Sequence, residues 1–374
     1  DGLRRQRLDR PYLRVDGKLR PASWSEAFSA IAAKVSGTRP ERIGAVVGDL
    51  SAVEEIYALR ELMRSLGVVN LDAREDGAKL DPALGRASYV FNPGIAGIDE
   101  ADAVLLIGTN PRVEASIVNA RLRRRWRMGP LPVGIIGEAV DLTYPAQHLG
   151  AGAETLTDLI AGRHSFSEVL SKAAKPLVIV GQGALARPDG AAILALAAQA
   201  ASTFGAATEG WNGFAVLHTA AARVGALDLG FVPGEGGLDA AGMAAAGALD
   251  VLFLLGADEI EVAPGAFVIY QGTHGDRGAH RADVILPGAA YTEKSGTFVN
   301  TEGRVQMTNR AAFPPGDARE DWAILRALSD TLGRRLPFDS LAALRKALYT
   351  AHPHLARIDE IAAPDLAPAL EAMA

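Results

Sequence analysis

Five times along the chain a short apolar run ends on glycine. Ile43–Val47 precedes Gly48, Val104–Ile107 precedes Gly108, and Val133–Ile136 precedes Gly137; Leu177–Val180 precedes Gly181 and Val251–Leu255 precedes Gly256. No polar residue alternates within these runs, so each describes a strand covered on both faces. Helical periodicity fills the intervals. The stretch 52–66 sets Ile56, Leu59, Leu62, Met63 and Leu66 on one face. Buried strands alternating with amphipathic helices predict an α/β fold: two doubly wound, Rossmann-like units with parallel sheets. The expected division is an opening segment with a first helix over 1–40, one α/β unit over 41–165, and a second over 166–335. A helical tail over 336–374, broken by Pro353, Pro364 and Pro368, completes it.

Local signals sharpen this outline. Asp16-Gly17 is an efficient turn pair. Ser23 and Glu26 form a capping box for a helix that buries Phe28, Ile31, Ala32 and Val35 and stops at Gly37. Thr297–Val299 and Arg304–Gln306 read as a hairpin across 300–303. Beyond it, Asp317 is the expected N-cap of a helix with Glu320 at its third position, Trp322, Leu325, Leu328 and Leu332 inward, and Gly333 as its stop. The heptapeptides 102–108 and 250–256 resemble one another. They mark either an internal duplication or the common look of a buried strand before a tight turn.

Composition removes several function classes. The 374 residues are 49% hydrophobic and 22% charged, which describes a folded chain rather than a disordered one. A formal charge of −6 lacks the footprint of a dedicated nucleic-acid binder. The chain has no cysteine, which excludes disulfides, a Cys–zinc site, a catalytic thiol and any Cys-ligated iron–sulfur cluster within it. No stretch approaches the roughly 18–20 apolar residues of a membrane helix; Ala191–Ala201 is short and contains Gln199. The start, Asp1-Gly-Leu-Arg-Arg, has no initiator Met and no signal-peptide pattern, so the chain is expected to be an interior or C-terminal part of a longer polypeptide.

Candidate ligand motifs each carry a structural alternative. Gly181-Gln-Gly183-Ala-Leu-Ala186 has the G-x-G-x-x-A form of a dinucleotide turn, but Pro188-Asp-Gly190 interrupts it and the first later acid is Glu209. It serves equally as a tight strand-to-helix turn. In Gly108-Thr-Asn110-Pro111, Asn110 suits an N-cap and Pro111 the first helical position, leaving N–H groups for an anion; Glu114 can satisfy the same helix end. Arg121, Arg123, Arg124, Arg125, Trp126 and Arg127 form either a solvated helix face or a protein contact surface. His274, Asp276 and His280 lie in a glycine-rich loop whose spacing does not gather metal ligands, so no metal site is expected. No nucleophile–base pair or carboxylate dyad emerges, and no catalytic residue is assigned.

The stretch ADVILPGAAYTEKSGTFVNTEGRVQM over 282–307, with PPGDAREDW after it, closely resembles the end of the molybdopterin-oxidoreductase domain, whose superfamily includes formate dehydrogenases and nitrate reductases. The 100–111 segment ending in Gly-Thr-Asn-Pro, the opening DGLRRQRL, the SWSEAF helix and PLVIVGQGAL follow in the superfamily's order, so the resemblance covers nearly the whole chain. The GEAVDLTY motif over 137–144 with His148-Leu-Gly150, YQGTHGD over 270–276 and AAYTEKS over 289–295 are similar to one branch: the large iron–sulfur subunits of NADH:quinone oxidoreductase, complex I.

That resemblance implies a subunit portion of an enzyme that passes electrons from NADH through flavin and iron–sulfur clusters to quinone. It implies 2Fe-2S and 4Fe-4S clusters held upstream of Asp1, and a scaffold here with no cofactor or molybdopterin of its own. Gly108, Asn110, Pro111, Gly181 and Gly183 are then vestigial cofactor positions, and Arg121–Arg127 a partner contact. Partners would be the flavoprotein NADH-binding subunit and other iron–sulfur subunits of the peripheral arm, in a hetero-oligomer without nucleic acid or membrane insertion. The location would be peripheral, on the cytoplasmic face of a bacterial inner membrane or the matrix side in mitochondria. The alternative is an active molybdenum or tungsten oxidoreductase, in which Gly108–Pro111 and Gly181–Gly183 cradle pterin phosphates. A third reading has the α/β units hold a regulatory nucleotide.

Overall fold

A computed structural model describes residues 2–362 and 364–373. Two compact units share the chain. The first takes the chain up to Glu75, then Ala220–Val299 and Val305–Glu360; the second takes Asp76–Thr219, Asn300–Arg304 and the chain from Ile361 onward.

The first unit is built on a seven-stranded sheet, ordered Lys18–Pro21, Tyr12–Val15, Val284–Pro287, Phe267–Gly272, Val251–Leu255, Ile43–Val47 and Asn70–Asp72. The last five run parallel. Asp16 and Gly17, both with positive φ, turn the opening segment into a hairpin that pairs Tyr12 with Ile285. The opening segment is therefore joined to this sheet through Tyr12–Val15 and Lys18–Pro21 and is not a separate lead-in. Every residue of Val251–Leu255 and Ile43–Val47 is buried, as uninterrupted apolar runs require. Helix Trp24–Ser36 begins with the expected capping box, in which Ser23 accepts from the Glu26 N–H and Glu26 accepts from the Ser23 N–H.

The second unit has five parallel strands, ordered Phe214–Val216, Pro176–Val180, Ala103–Ile107, Val133–Ile136 and Gln147–Gly150. Its core joins Val104, Leu106, Leu177 and Ile179 of the sheet to Val118 and Leu122 of helix Ser116–Met128.

The fold class matches expectation, but the division of the chain does not. Ile43–Val47 lies beside Val251–Leu255, so 41–165 and 166–335 are not the units; these interleave. A parallel neighbour is reached by a crossover connection, and nothing obliges it to come from the adjoining stretch of sequence. Nor is 336–374 a free-standing tail. Helix Leu341–Ala351 packs on Val53–Ser65 within the first unit, and Leu366–Met373 packs on Gly190–Thr203 within the second. Pro368 sits in the first turn of that last helix, where its missing N–H has no intrahelical partner to lose.

The helix near 320 also starts later than expected, at Asp321 with Glu320 as N-cap and Trp322 only half-buried. Asp317 donates its N–H to the Asp9 carbonyl and Arg319 its N–H to the Pro287 carbonyl, so 317–320 is tied to the chain before Tyr12 and to the end of Val284–Pro287 instead of coiling. The hairpin forms as Thr297–Val299 against Val305–Met307, with Val299 opposite Val305. No helix among the described residues is long and apolar enough to cross a membrane.

The two units differ in strand order: numbered along the chain, the five parallel strands of the first lie as 5-4-3-1-2 and those of the second as 5-4-1-2-3. In each, a first strand (Ile43–Val47 or Ala103–Ile107) is flanked on one side by the next in sequence and on the other by a strand reached after a long excursion, Val251–Leu255 or Pro176–Val180. By position, 103–107 and 251–255 are each the central strand of the five. The resemblance between 102–108 and 250–256 thus pairs strands in the same central place, both buried throughout.

Candidate functional site

Open parallel sheets bind ligands beyond the carboxyl ends of their strands, where the strand order reverses. Each unit has a crevice at that point. In the second unit, Gly108 follows the first strand at φ +58° and Gly181 follows its neighbour. The ladder continues into both turns: Gly108 N–H bonds Ile136 and Gly181 N–H bonds Ile107. The turns touch each other. A Cβ on Gly181 would stand 2.8 Å from the Gly108 carbonyl oxygen, and one on Gly183 would stand 2.7 Å from it. Gly108, Gly181 and Gly183 thus come together, but the room they leave is filled by backbone.

A cavity of about 370 Å³ lies alongside, bordered by Thr109, Asn110, Glu114, Glu138, Gly152 and Arg187 over an aliphatic floor. Pro111 opens only a four-residue turn, Pro111–Glu114, and is buried. Asn110 makes no capping bond with its side chain. Glu114 does that work, accepting the Asn110 N–H at 2.8 Å and the Thr109 hydroxyl at 2.7 Å. The cap reading of Gly108–Pro111 holds, with Glu114 in place of Asn110, because its longer side chain reaches back one turn. A carboxylate therefore stands where an anion would bind. The cation at the rim, Arg187, is paired with Asp189 at 2.7 Å.

The first unit's crevice, about 290 Å³, was not foreseen from sequence. Gly48 and Gly256 meet beside it: a Cβ on Gly48 would lie 1.9 Å from the Gly256 carbonyl oxygen. Seven carboxylates border it: Asp49, Glu55, Glu75, Asp258, Glu259, Asp276 and Asp321. They come from five separate stretches, which is why no spacing rule reveals them. Burial, with Asp49, Asp258 and Glu259 nearby, pushes Glu75 up to about 8 against the pull of Arg223. Burial and a hydrogen bond with Asp276 push Asp258 up to about 6.

Between its ordinary value and about 8, folded Glu75 keeps a proton that the unfolded chain releases, so its contribution to stability falls as pH rises through that window. The Glu75→Gln variant should shrink the loss of Tm between pH 5 and pH 8 by about 3–6 °C. Scanning fluorimetry giving the same Tm slope for both proteins would refute this.

Behind the crevice the resemblance-bearing motif is a brace. Lys294 donates to Glu55 at 2.6 Å and to Asp321 at 2.9 Å, all three buried. Gln271 donates to the other Asp321 oxygen at 3.0 Å. Thr297 gives both its N–H and its hydroxyl to Glu54, which also receives Arg345. Glu293 holds Arg7 in a two-pronged pair. His274 bonds the neighbouring Thr273 hydroxyl, and His280 is exposed on helix Arg277–Arg281.

The arginine run lies on helix Ser116–Met128 and divides. Arg121 grips Asp99 through two bonds, Arg125 approaches the Gly129 carbonyl, and Trp126 turns inward to stack on Tyr144 at 6.4 Å. Arg123, Arg124 and Arg127 face solvent.

This fold, with paired crevices at the strand ends, defines a class. The chain belongs to the molybdopterin oxidoreductase family, whose pattern it matches over residues 7–331. Its fold is shared by acetylene hydratase from Pelobacter acetylenicus (TM-score 0.60, 13% identity, 88% of this chain and 62% of that one). It is also shared by a chain of the formyltransferase/hydrolase complex of Methylorubrum extorquens (TM-score 0.63, 17% identity, 86% and 98%).

Much nearer in sequence are subunits named for NADH oxidation. The chain is 42% identical to the mitochondrial NADH dehydrogenase [ubiquinone] iron-sulfur protein 1 of Solanum tuberosum, over 96% of this chain and 48% of that protein. It is 43% identical to the 78 kDa subunit of NADH-ubiquinone oxidoreductase of Neurospora crassa (98% and 50%). It is 42% identical to an NADH-quinone oxidoreductase subunit of Rickettsia bellii (96% and 52%). The chain spans about half the length of these relatives.

The family's name implies a pterin cofactor, whose dinucleotide form carries phosphates. The residues present do not fit one. Glu114 fills the helix end in one crevice, and seven carboxylates border the other with only Lys294 and the histidine His274 as basic groups among its lining residues. Neither set of groups complements an anionic phosphate.

Proposed function

We propose that this chain is the molybdopterin-oxidoreductase-shaped portion of the large iron–sulfur subunit of an NADH:quinone oxidoreductase, and that it acts as a scaffold without a redox centre. What carries the reading is 42–43% identity along nearly the whole chain to subunits bearing that name. The chemistry of the crevices supports the second half: their ligand positions are occupied by the protein's own backbone and carboxylates. The 2Fe-2S and 4Fe-4S clusters belong to the portion of the polypeptide upstream of this one. The partners are the flavoprotein NADH-binding subunit and other iron–sulfur subunits, on the cytoplasmic or matrix face of the membrane.

The test is purification of the intact oxidoreductase through a tag on this polypeptide. NADH oxidation should co-migrate with the chain on a native gel, with iron present and molybdenum, tungsten and oxidised-pterin fluorescence at background. A stoichiometric metal and pterin signal would instead establish the molybdenum or tungsten enzyme. Failure of the chain to co-migrate with NADH oxidation would overturn the subunit assignment.

A further inference from the structure

Helix Ser116–Met128 has two unlike sides. Val118, Asn119 and Leu122 are buried, with Trp126 packed against the same core. On the other side Ile117, Ala120, Arg124 and Arg127 recur at intervals of three and four residues, which places them on one face. Ile117 is 73% exposed and Met128 66% exposed, and Val113 in the preceding turn is 78% exposed. These are three of the eight large hydrophobic side chains exposed among the described residues.

The same face holds cations with at most a distant ion-pair partner among the described residues. Arg123 and Arg127 form no ion pair among the described residues. Arg124 comes no nearer than 3.8 Å to Asp99, which Arg121 already holds at 2.7 Å. Like charges at this spacing cost a few tenths of a kcal/mol per pair, so the cluster does not serve the helix itself. A solvated face needs charge but not Ile117 and Met128, and lysine would supply it as well. Arginine beside exposed aliphatic groups is the composition of a protein contact.

We infer that the Ile117–Met128 face docks an acidic amphipathic helix of a different subunit, its aliphatic stripe over Ile117 and Ala120 and its carboxylates opposite Arg123, Arg124 and Arg127. The inference rests on the subunit reading above. The same face of a second copy is a poor occupant, since the exposed side of this helix carries no carboxylate to meet the arginines. Nucleic acid is disfavoured by the formal charge of −6.

The test uses the assembled oxidoreductase with photoreactive benzoylphenylalanine at position 117. Illumination should join the chain to one stretch of another subunit rich in Asp and Glu. The triple variant Arg123→Glu, Arg124→Glu, Arg127→Glu should lower incorporation of the polypeptide into the complex about tenfold, with the Tm of the free polypeptide unchanged. Exchanging the mapped acids for arginine should restore incorporation. Cross-links confined to RNA, lipid or a second copy would overturn the inference, as would no cross-link to another subunit. Normal incorporation of the triple variant would also overturn it. Each of these leaves the subunit reading intact, because the wild-type chain still co-purifies with NADH oxidation. Loss of that co-purification defeats both.

Discussion

Replacing Lys294 with Met is expected to destabilise the first unit by about 3–5 kcal/mol, the cost of removing one partner from a buried charge cluster. Burial opposes charge on Lys294, but Asp321 and Glu55 outweigh it and hold the ammonium above its ordinary range. Burial, and then Asp321, drives Glu55 well above the usual carboxylate value against the pull of Lys294. Without the lysine, two carboxylates face each other with no cation between them. Thermal unfolding should fall on the order of 10 °C. Adding Glu55→Gln to Lys294→Met should recover more than half of the loss, because Asp321 keeps its bond from Gln271. A Lys294→Met protein with wild-type Tm would show that the cluster contributes nothing.

Gly48→Ala should be comparably severe, about 3 kcal/mol or more, at the upper end of overpacking costs. Its Cβ would overlap the Gly256 carbonyl at 1.9 Å, and both groups are backbone held by the ladder: Gly48 N–H bonds Leu255 and Gly256 N–H bonds Gln271. Neither can yield without moving a central strand. Gly108→Ala combines a 2.4 Å approach to the Ala184 Cβ with φ +58°, and should fail similarly. Gly236→Ala is the control. Its φ of +70° is left-handed, but nothing lies within 4 Å, so it should cost only about 1–2 kcal/mol. Equal denaturation midpoints for Gly48→Ala and Gly236→Ala would contradict the role given to close backbone approach.

Both predictions concern residues whose importance is unevenly legible. Lys294 lies inside a motif that marks the family, yet its partners Glu55 and Asp321 are 239 and 27 positions away. The glycines after each apolar run were visible as strand stops. That they press on one another was not, because contact between Gly48 and Gly256 depends on which strands become neighbours. The acidic crevice leaves no trace in the sequence: each carboxylate looks ordinary in its own stretch, and only the strand ends bring seven of them together. Within the arginine run, composition pointed to a surface, while the helix phase separated Arg121 and Trp126, turned to Asp99 and Tyr144, from Arg123, Arg124 and Arg127.

Sequence alone determined the element types, because a buried parallel strand, a capped helix and an Asp-Gly turn are local solutions to local hydrogen-bonding demands. The chain's class and its lack of cysteine chemistry were equally legible. Tertiary structure decided strand order, the interleaving of the units and the charge of the crevices. Those depend on pairings between segments as far apart as Tyr12 and Ile285, which follow from how buried faces cover one another and leave no periodic trace along the chain.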